Sequence, residues 1–167
     1  IMNYNNAVPR KALSKWVASE YTSTNRNPYR EWIGAQIRAD GWGYACAGNP
    51  ELAAEFAYRD ACWTHRANGI YGEMMFAAII AAAFLVDDAA ELINIGLSEI
   101  PKNCRLSEAC LSALNTIQKC QDFHEYMDWV ELNYGELNGV HTVNNALVVI
   151  GSLIFGQMDF HHENPSD

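Results

Sequence analysis

The stretch Met74-Met75-Phe76-Ala77-Ala78-Ile79-Ile80-Ala81-Ala82-Ala83-Phe84-Leu85-Val86 is thirteen consecutive apolar residues. A helix crossing a bilayer needs about 20, so the run is too short for that and reads as a helix buried on nearly every face. Such a helix belongs in the middle of a bundle, because it offers no polar stripe to water. With Ile70 as its start, it is predicted to run to Val86.

Working outward, the pattern stays helical. Asp88 precedes Leu92, Ile93, Ile95 and Leu97, a shorter helix stopped before Pro101. From Leu106 the apolar positions 106, 110, 113, 117, 120, 127, 130 and 134 recur at helical spacing. Asp122 followed by Glu125 has the form of a capping box, which predicts a break there. His124 falls on this stripe and reads as a half-buried structural histidine; Cys110 and Cys120 read as core packing. Thr142–Phe155 is the last predicted helix, capped by Thr142 and buried through Leu147, Val148, Val149, Ile150, Leu153 and Ile154.

On the other side, Asn27-Pro28 and Asn49-Pro50 each read as an N-cap followed by proline at the first helical position. They predict helices to about Asp40 and about Trp63. Gly41-Trp42-Gly43-Tyr44 and Cys46-Ala47-Gly48 then form a glycine-punctuated loop. Nothing repeats and no linker divides the chain. The expectation is one all-α domain over 1–167, frayed over 1–10 and ending in a polar tail over 157–167.

Composition narrows the function classes. Half of the 167 residues are apolar and 19% are charged, which suits a folded core rather than a disordered acidic chain. Eleven Lys+Arg against twenty Asp+Glu give a formal charge of -9, so neither nucleic acid nor an anionic membrane is an expected partner. Ile1-Met2-Asn3-Tyr4 has no signal-peptide character, and a first residue other than Met suggests a piece of something longer. Five cysteines without a C-x-x-C pair exclude a zinc knuckle and a full disulfide framework. Reduced thiols in the cytoplasm are the expectation.

No nucleophile elbow, P-loop, dinucleotide fingerprint or His-Glu-x-x-His is present. Two polar clusters remain. Thr64-His65-Arg66-Ala67-Asn68-Gly69 lies between two predicted helices and reads either as a ligand pocket or as a helix C-terminal cap. His141-Thr142-Val143-Asn144-Asn145 opens the last helix, where free N–H groups suit a carboxylate or phosphate. Two adjacent Asn there need partners if buried. Asp87-Asp88 reads as a cap for the next helix, and His161-His162-Glu163 as a solvated tail.

At Ile33-Gly34-Ala35-Gln36-Ile37-Arg38 the chain resembles the ADP-ribosylglycohydrolases, which carry a Gly-Ala-x-x-Arg-type segment facing ADP-ribose. Asn27-Pro28-Tyr29-Arg30-Glu31-Trp32, Gly48-Asn49-Pro50-Glu51-Leu52-Ala53-Ala54-Glu55, Tyr58-Arg59-Asp60-Ala61 and Thr64-His65 resemble one bacterial branch. Asn68-Gly69-Ile70-Tyr71-Gly72-Glu73-Met74 and His141-Thr142-Val143-Asn144-Asn145-Ala146 extend the similarity to roughly Asn27–Phe160. The resemblance implies a compact orthogonal helical bundle and magnesium-dependent hydrolysis of the bond between ADP-ribose and a protein side chain or small acceptor. Gly34, Ala35 and Gln36 would lie along the ligand and His65 would approach it. Asn68, His141 and Asn144 complete the implied pocket, and no catalytic residue is assigned.

The family's metal ligands come from an early Asp-Asp-Thr-type motif and a late Asp-x-Asp motif. This chain has no Asp-x-Asp, and its one Asp-Asp is followed by Ala89. It therefore resembles the central part of the domain, with no metal ligands, no cofactor of its own and impaired hydrolysis. The alternative is a non-catalytic helical module that binds a nucleotide-like ligand or a partner chain. Helices 70–86 and 142–155, without their flanking neighbours, predict a homodimer.

Overall fold

The computed structural model describes residues 19–156, and every regular element in them is a helix. In order they are α1 (Ser19–Thr24), one 3-10 turn (Gln36–Arg38), α2 (Ala39–Ala45), α3 (Pro50–Ala61) and α4 (Asn68–Ala82). There follow α5 (Ala89–Ser98), α6 (Arg105–Ile117), α7 (Phe123–Tyr134) and α8 (Thr142–Phe155). The frayed start and the polar tail, with His161, His162 and Glu163, lie outside the described residues.

The apolar helix is the axis of the molecule. α4 packs against α2, α3, α5, α6, α8 and the 3-10 turn. Its Met75, Ala77, Ile79 and Ala81 share one core with Leu92, Leu106, Cys110, Tyr126, Leu147 and Ile150. Three caps form as read: Asn49 accepts from the Leu52 N–H at 3.2 Å, Asp88 from Glu91 at 2.7 Å, and Asp122 from Glu125 at 2.9 Å. Glu125 reaches back to the Gln121 N–H at 2.7 Å, so the chain breaks between α6 and α7.

Several boundaries need correction. Asn27-Pro28 opens no helix. The Asn27 amide is buried and donates to the carbonyls of Ser23 and Thr64, at 3.0 and 2.7 Å, while its oxygen accepts from the Tyr29 N–H at 3.1 Å. The oxygen that would have capped a helix closes a turn onto Tyr29 instead, while the amide nitrogen ties the turn to Ser23 and across to Thr64. The loop predicted over Gly41–Tyr44 is helical, within α2. Gly43 is there for proximity: a Cβ on it would stand 2.5 Å from Cβ of Ile80.

α4 begins at Asn68 and stops at Ala82, leaving Phe84 57% and Leu85 75% exposed. Val148 and Val149 are exposed rather than buried, and Val149 lines an open apolar cavity that it shares with Ile79 and Ile80 of α4. His124 is exposed too, and Cys120 only partly buried. His141, not Thr142, caps α8: its Nδ1 accepts from the Val143 N–H at 3.1 Å. All five cysteines are free. Among the described residues no helix is long and apolar enough to cross a membrane.

Ile79→Ala is expected to cost about 2–5 kcal/mol in denaturant melts, as a buried large-to-small change does, and Phe84→Ala less than about 0.5 kcal/mol. Equal costs would mean that α4 is not the axis of the core.

Candidate ligand site

The segment 30–36 has almost no regular structure of its own, yet it is held on two sides. On one side Trp32 forms an isolated antiparallel bridge with His141. The Ile33 N–H donates to Val140 at 2.8 Å, and the Thr142 N–H to Glu31 at 3.0 Å. On the other side the Arg66 N–H donates to Arg30 at 2.9 Å. Gly69 lies directly beneath, where a Cβ would meet the Arg30 oxygen at 2.4 Å. Ala67 enters α4 with φ 44° and ψ -124°, a strained backbone for an L side chain. The strain sits where segment 30–36 presses on the turn.

Asn68 is the junction's polar pin. Its amide donates to Oε2 of Glu31 at 2.7 Å, and its oxygen accepts the Leu106 N–H at the head of α6 at 3.0 Å. Gly34, Ala35 and Gln36 are buried. Oε1 of Gln36 and Oγ1 of Thr142 are buried without a hydrogen-bond partner. Both residues press on Gly72, whose Cβ would stand 3.1 Å from that Gln36 oxygen and 2.4 Å from Cγ2 of Thr142. His141 is half-buried, and burial lowers its pKa against the opposing pull of Glu31. Asn144 donates to the Asn138 carbonyl at 3.2 Å and Asn145 to Gly139 at 2.9 Å, so this pair braces the preceding loop. The structure thus gathers Gly34, Ala35, Gln36, His65, Asn68 and His141 around one segment, with Asn144 on its flank.

Behind the junction lies a polar network that the sequence reading did not find. Arg38 Nε donates to Oδ2 of Asp60 at 2.7 Å and Nη1 to the Gly34 carbonyl at 2.7 Å. Nη2 lies 3.4 Å from both Thr64 Oγ1 and Glu73 Oε2. Trp42 Nε1 donates to Oε1 of Glu73 at 3.1 Å. Glu73 is fully buried, and desolvation, followed by its bond to Asp60 and that residue's charge, pushes its pKa up to about 9. Burial would raise Asp60 as well, but hydrogen bonds from Glu73 and Arg38 and the Arg38 charge outweigh it and hold that carboxyl low. Glu73 keeps the proton and donates it toward Asp60.

His65 is fully buried, with Nδ1 2.6 Å from Thr64 Oγ1. Burial, then the Arg38 charge, pushes its pKa down to about 4. Neutral imidazole with the Thr64 hydroxyl donating to Nδ1 leaves Nε2 to donate to the Trp32 backbone.

Two signals in the sequence pointed to this network. Glu73 is the only charged residue in α4, and a carboxyl in an apolar helix needs partners. Asp60 sits in the last turn of α3, where the helix dipole disfavours an acid.

A magnesium ion wants several hard oxygen ligands. Of the two acids here, Glu73 is protonated and Asp60 is paired with a cation, so this pair does not fit a metal. Among the described residues no three His, Cys, Asp or Glu group to hold an ion.

Fold and junction together define an all-α protein whose connecting segments converge over one buried polar network. The family model for ADP-ribosylglycohydrolase matches residues 4–162, and the chain belongs to the ADP-ribosylglycohydrolase family. Neither a curated protein nor a solved structure matches it.

The folded-state pKa of Glu73 lies above its ordinary value of 4.5, so its contribution to stability is full below that value and is lost as pH rises toward about 9. His65 acts in the other direction, losing its contribution as pH falls from 6.5 to about 4. Denaturant melts between about pH 6.5 and about pH 8 should show falling stability with rising pH, and Glu73→Gln should flatten that slope. An unchanged slope in the variant would mean that Glu73 is already ionised.

Proposed function

We propose that the chain recognises ADP-ribose at the junction of residues 30–36, 65–69 and 138–144. In this reading it is an ADP-ribosylglycohydrolase-like protein for the glycosidic bond between ADP-ribose and a protein side chain or small acceptor, with hydrolysis attenuated. The observation that carries the reading is the family match over 4–162, together with the convergence of the resembling segments on one junction. Attenuation is supported by the acids beside that junction, which are committed to Arg38 and to each other.

Calorimetric titration with ADP-ribose, with and without magnesium, tests both parts. Binding near micromolar Kd, about -8 kcal/mol, that magnesium leaves unchanged is the expected result. No heat at millimolar ADP-ribose would remove the recognition, and a two-site micromolar magnesium isotherm would remove the attenuation.

A second reading, self-association, rests on a different observation. An apolar cavity of about 580 Å³ lies between α2, α4, α5 and α8, rimmed by the exposed Tyr44 and Phe84. A symmetric homodimer would cover this face with its own copy. Light scattering at micromolar concentration should then report twice 18.7 kDa, and a stable 18.7 kDa monomer would refute it.

A further inference from the structure

The Arg38 side chain touches four separate parts of the chain. Its guanidinium bonds the Gly34 carbonyl in the segment before the 3-10 turn, Asp60 at the end of α3, Thr64 in the connection to α4, and Glu73 inside α4. Only a planar fork with five donors can serve acceptors in such different directions, and lysine cannot replace it. The two shortest contacts, both 2.7 Å, are to Gly34 and Asp60, so the fork holds the 34–38 backbone against α3.

The network continues past Arg38. Thr64 Oγ1 lies 2.6 Å from His65 Nδ1, closer than its 3.4 Å to the Ala61 carbonyl, so the hydroxyl is the partner of that ring nitrogen. That leaves the second ring nitrogen of His65 to hold the Trp32 backbone, and Trp32 bridges to His141. Each of the three segments at the junction is therefore reached from Arg38 within a few bonds. Arg38 itself is 29% exposed and Asp60 33%, while Glu73 at their back is at 0%.

We propose that Arg38 is the positioning residue of the junction: it sets the Gly34–Gln36 backbone and, through Thr64, the tautomer of His65, without itself touching the ligand. The proposal rests on the ADP-ribose reading only for what the junction is positioned to hold. The arrangement is a property of the chain without ligand, so it can be tested apart from binding.

The experiment compares the whole chain with Arg38→Lys and Thr64→Val, using two measurements. The first is the ring ¹⁵N pattern of His65 by NMR. The wild type should show one tautomer protonated on Nε2, and both variants a mixture of the two. The second is the Kd for ADP-ribose, which Arg38→Lys should weaken about tenfold or more while near-ultraviolet dichroism shows an intact fold. Thr64→Val removes one hydroxyl at nearly constant volume, so the tautomer test survives if Arg38→Lys does not fold. A single unchanged tautomer in every variant that folds overturns the proposal. So does an ADP-ribose Kd within twofold of wild type in folded Arg38→Lys. If the wild type binds no ADP-ribose, the functional reading fails, and the tautomer measurement alone decides the role of Arg38.

Discussion

A carboxyl group buried in the apolar axis of the molecule constrains everything around it. Glu73 sits one turn into α4, followed by residues that are almost all apolar and mostly buried. Leaving an ionised carboxylate there would cost far more than the protein's net stability. The fold meets the constraint in two ways at once: Glu73 keeps its proton, and Trp42, Arg38 and Asp60 supply hydrogen-bonding partners. Each partner comes from a different element, so satisfying one side chain fixes α2, the 3-10 turn and α3 on α4.

The same helix sets how closely the remaining segments approach. Gly69 lets the Arg30–Glu31 backbone rest on the start of α4, and Gly72 lets Thr142 and Gln36 meet there. A methyl group at either place would collide with backbone or with a stiff β-branched side chain. The irregular segment 30–35 is thus pinned between two connections although it forms no helix and only a single bridge. Its order comes from the first turn of α4, not from its own propensity.

This division explains what was legible in the sequence. α3, α5 and α7 carry local signals, namely a capping side chain and an apolar periodicity, and their starts could be read from neighbours in the chain; α8 showed its span by periodicity, though not its cap. Asn27-Pro28 carried the same local signal and misled: its oxygen closes only a turn onto Tyr29, and its amide nitrogen ties that turn to the Thr64 carbonyl 37 residues away. The helical state of Gly41-Trp42-Gly43 was hidden for a like reason. Glycine is a poor helix former, and only the contact with Ile80 explains its presence. At the junction, family resemblance pointed to Gly34, His65 and His141, whereas Arg38 acts through pairings with Asp60 and Glu73 that lie 22 and 35 residues away. Little that is local announces such pairs: only a lone acid in an apolar helix and an acid in the last turn of another show that partners are needed, and neither names the partner.

The charge states of the network indicate which work suits it. General acid–base catalysis is most effective when a group's pKa lies near the working pH. Here Glu73 is pushed up to about 9 and His65 down to about 4, while Asp60 is held below its ordinary value. None of the three changes charge near neutrality. Between about pH 5 and about pH 8 the protons are therefore largely fixed: on Glu73, off Asp60, and one only on His65. Such a cluster exchanges few protons with a bound molecule, but it keeps one geometry across the whole range. That is the behaviour of a scaffold. The buried network shapes the junction, and recognition is left to the segments it holds in place.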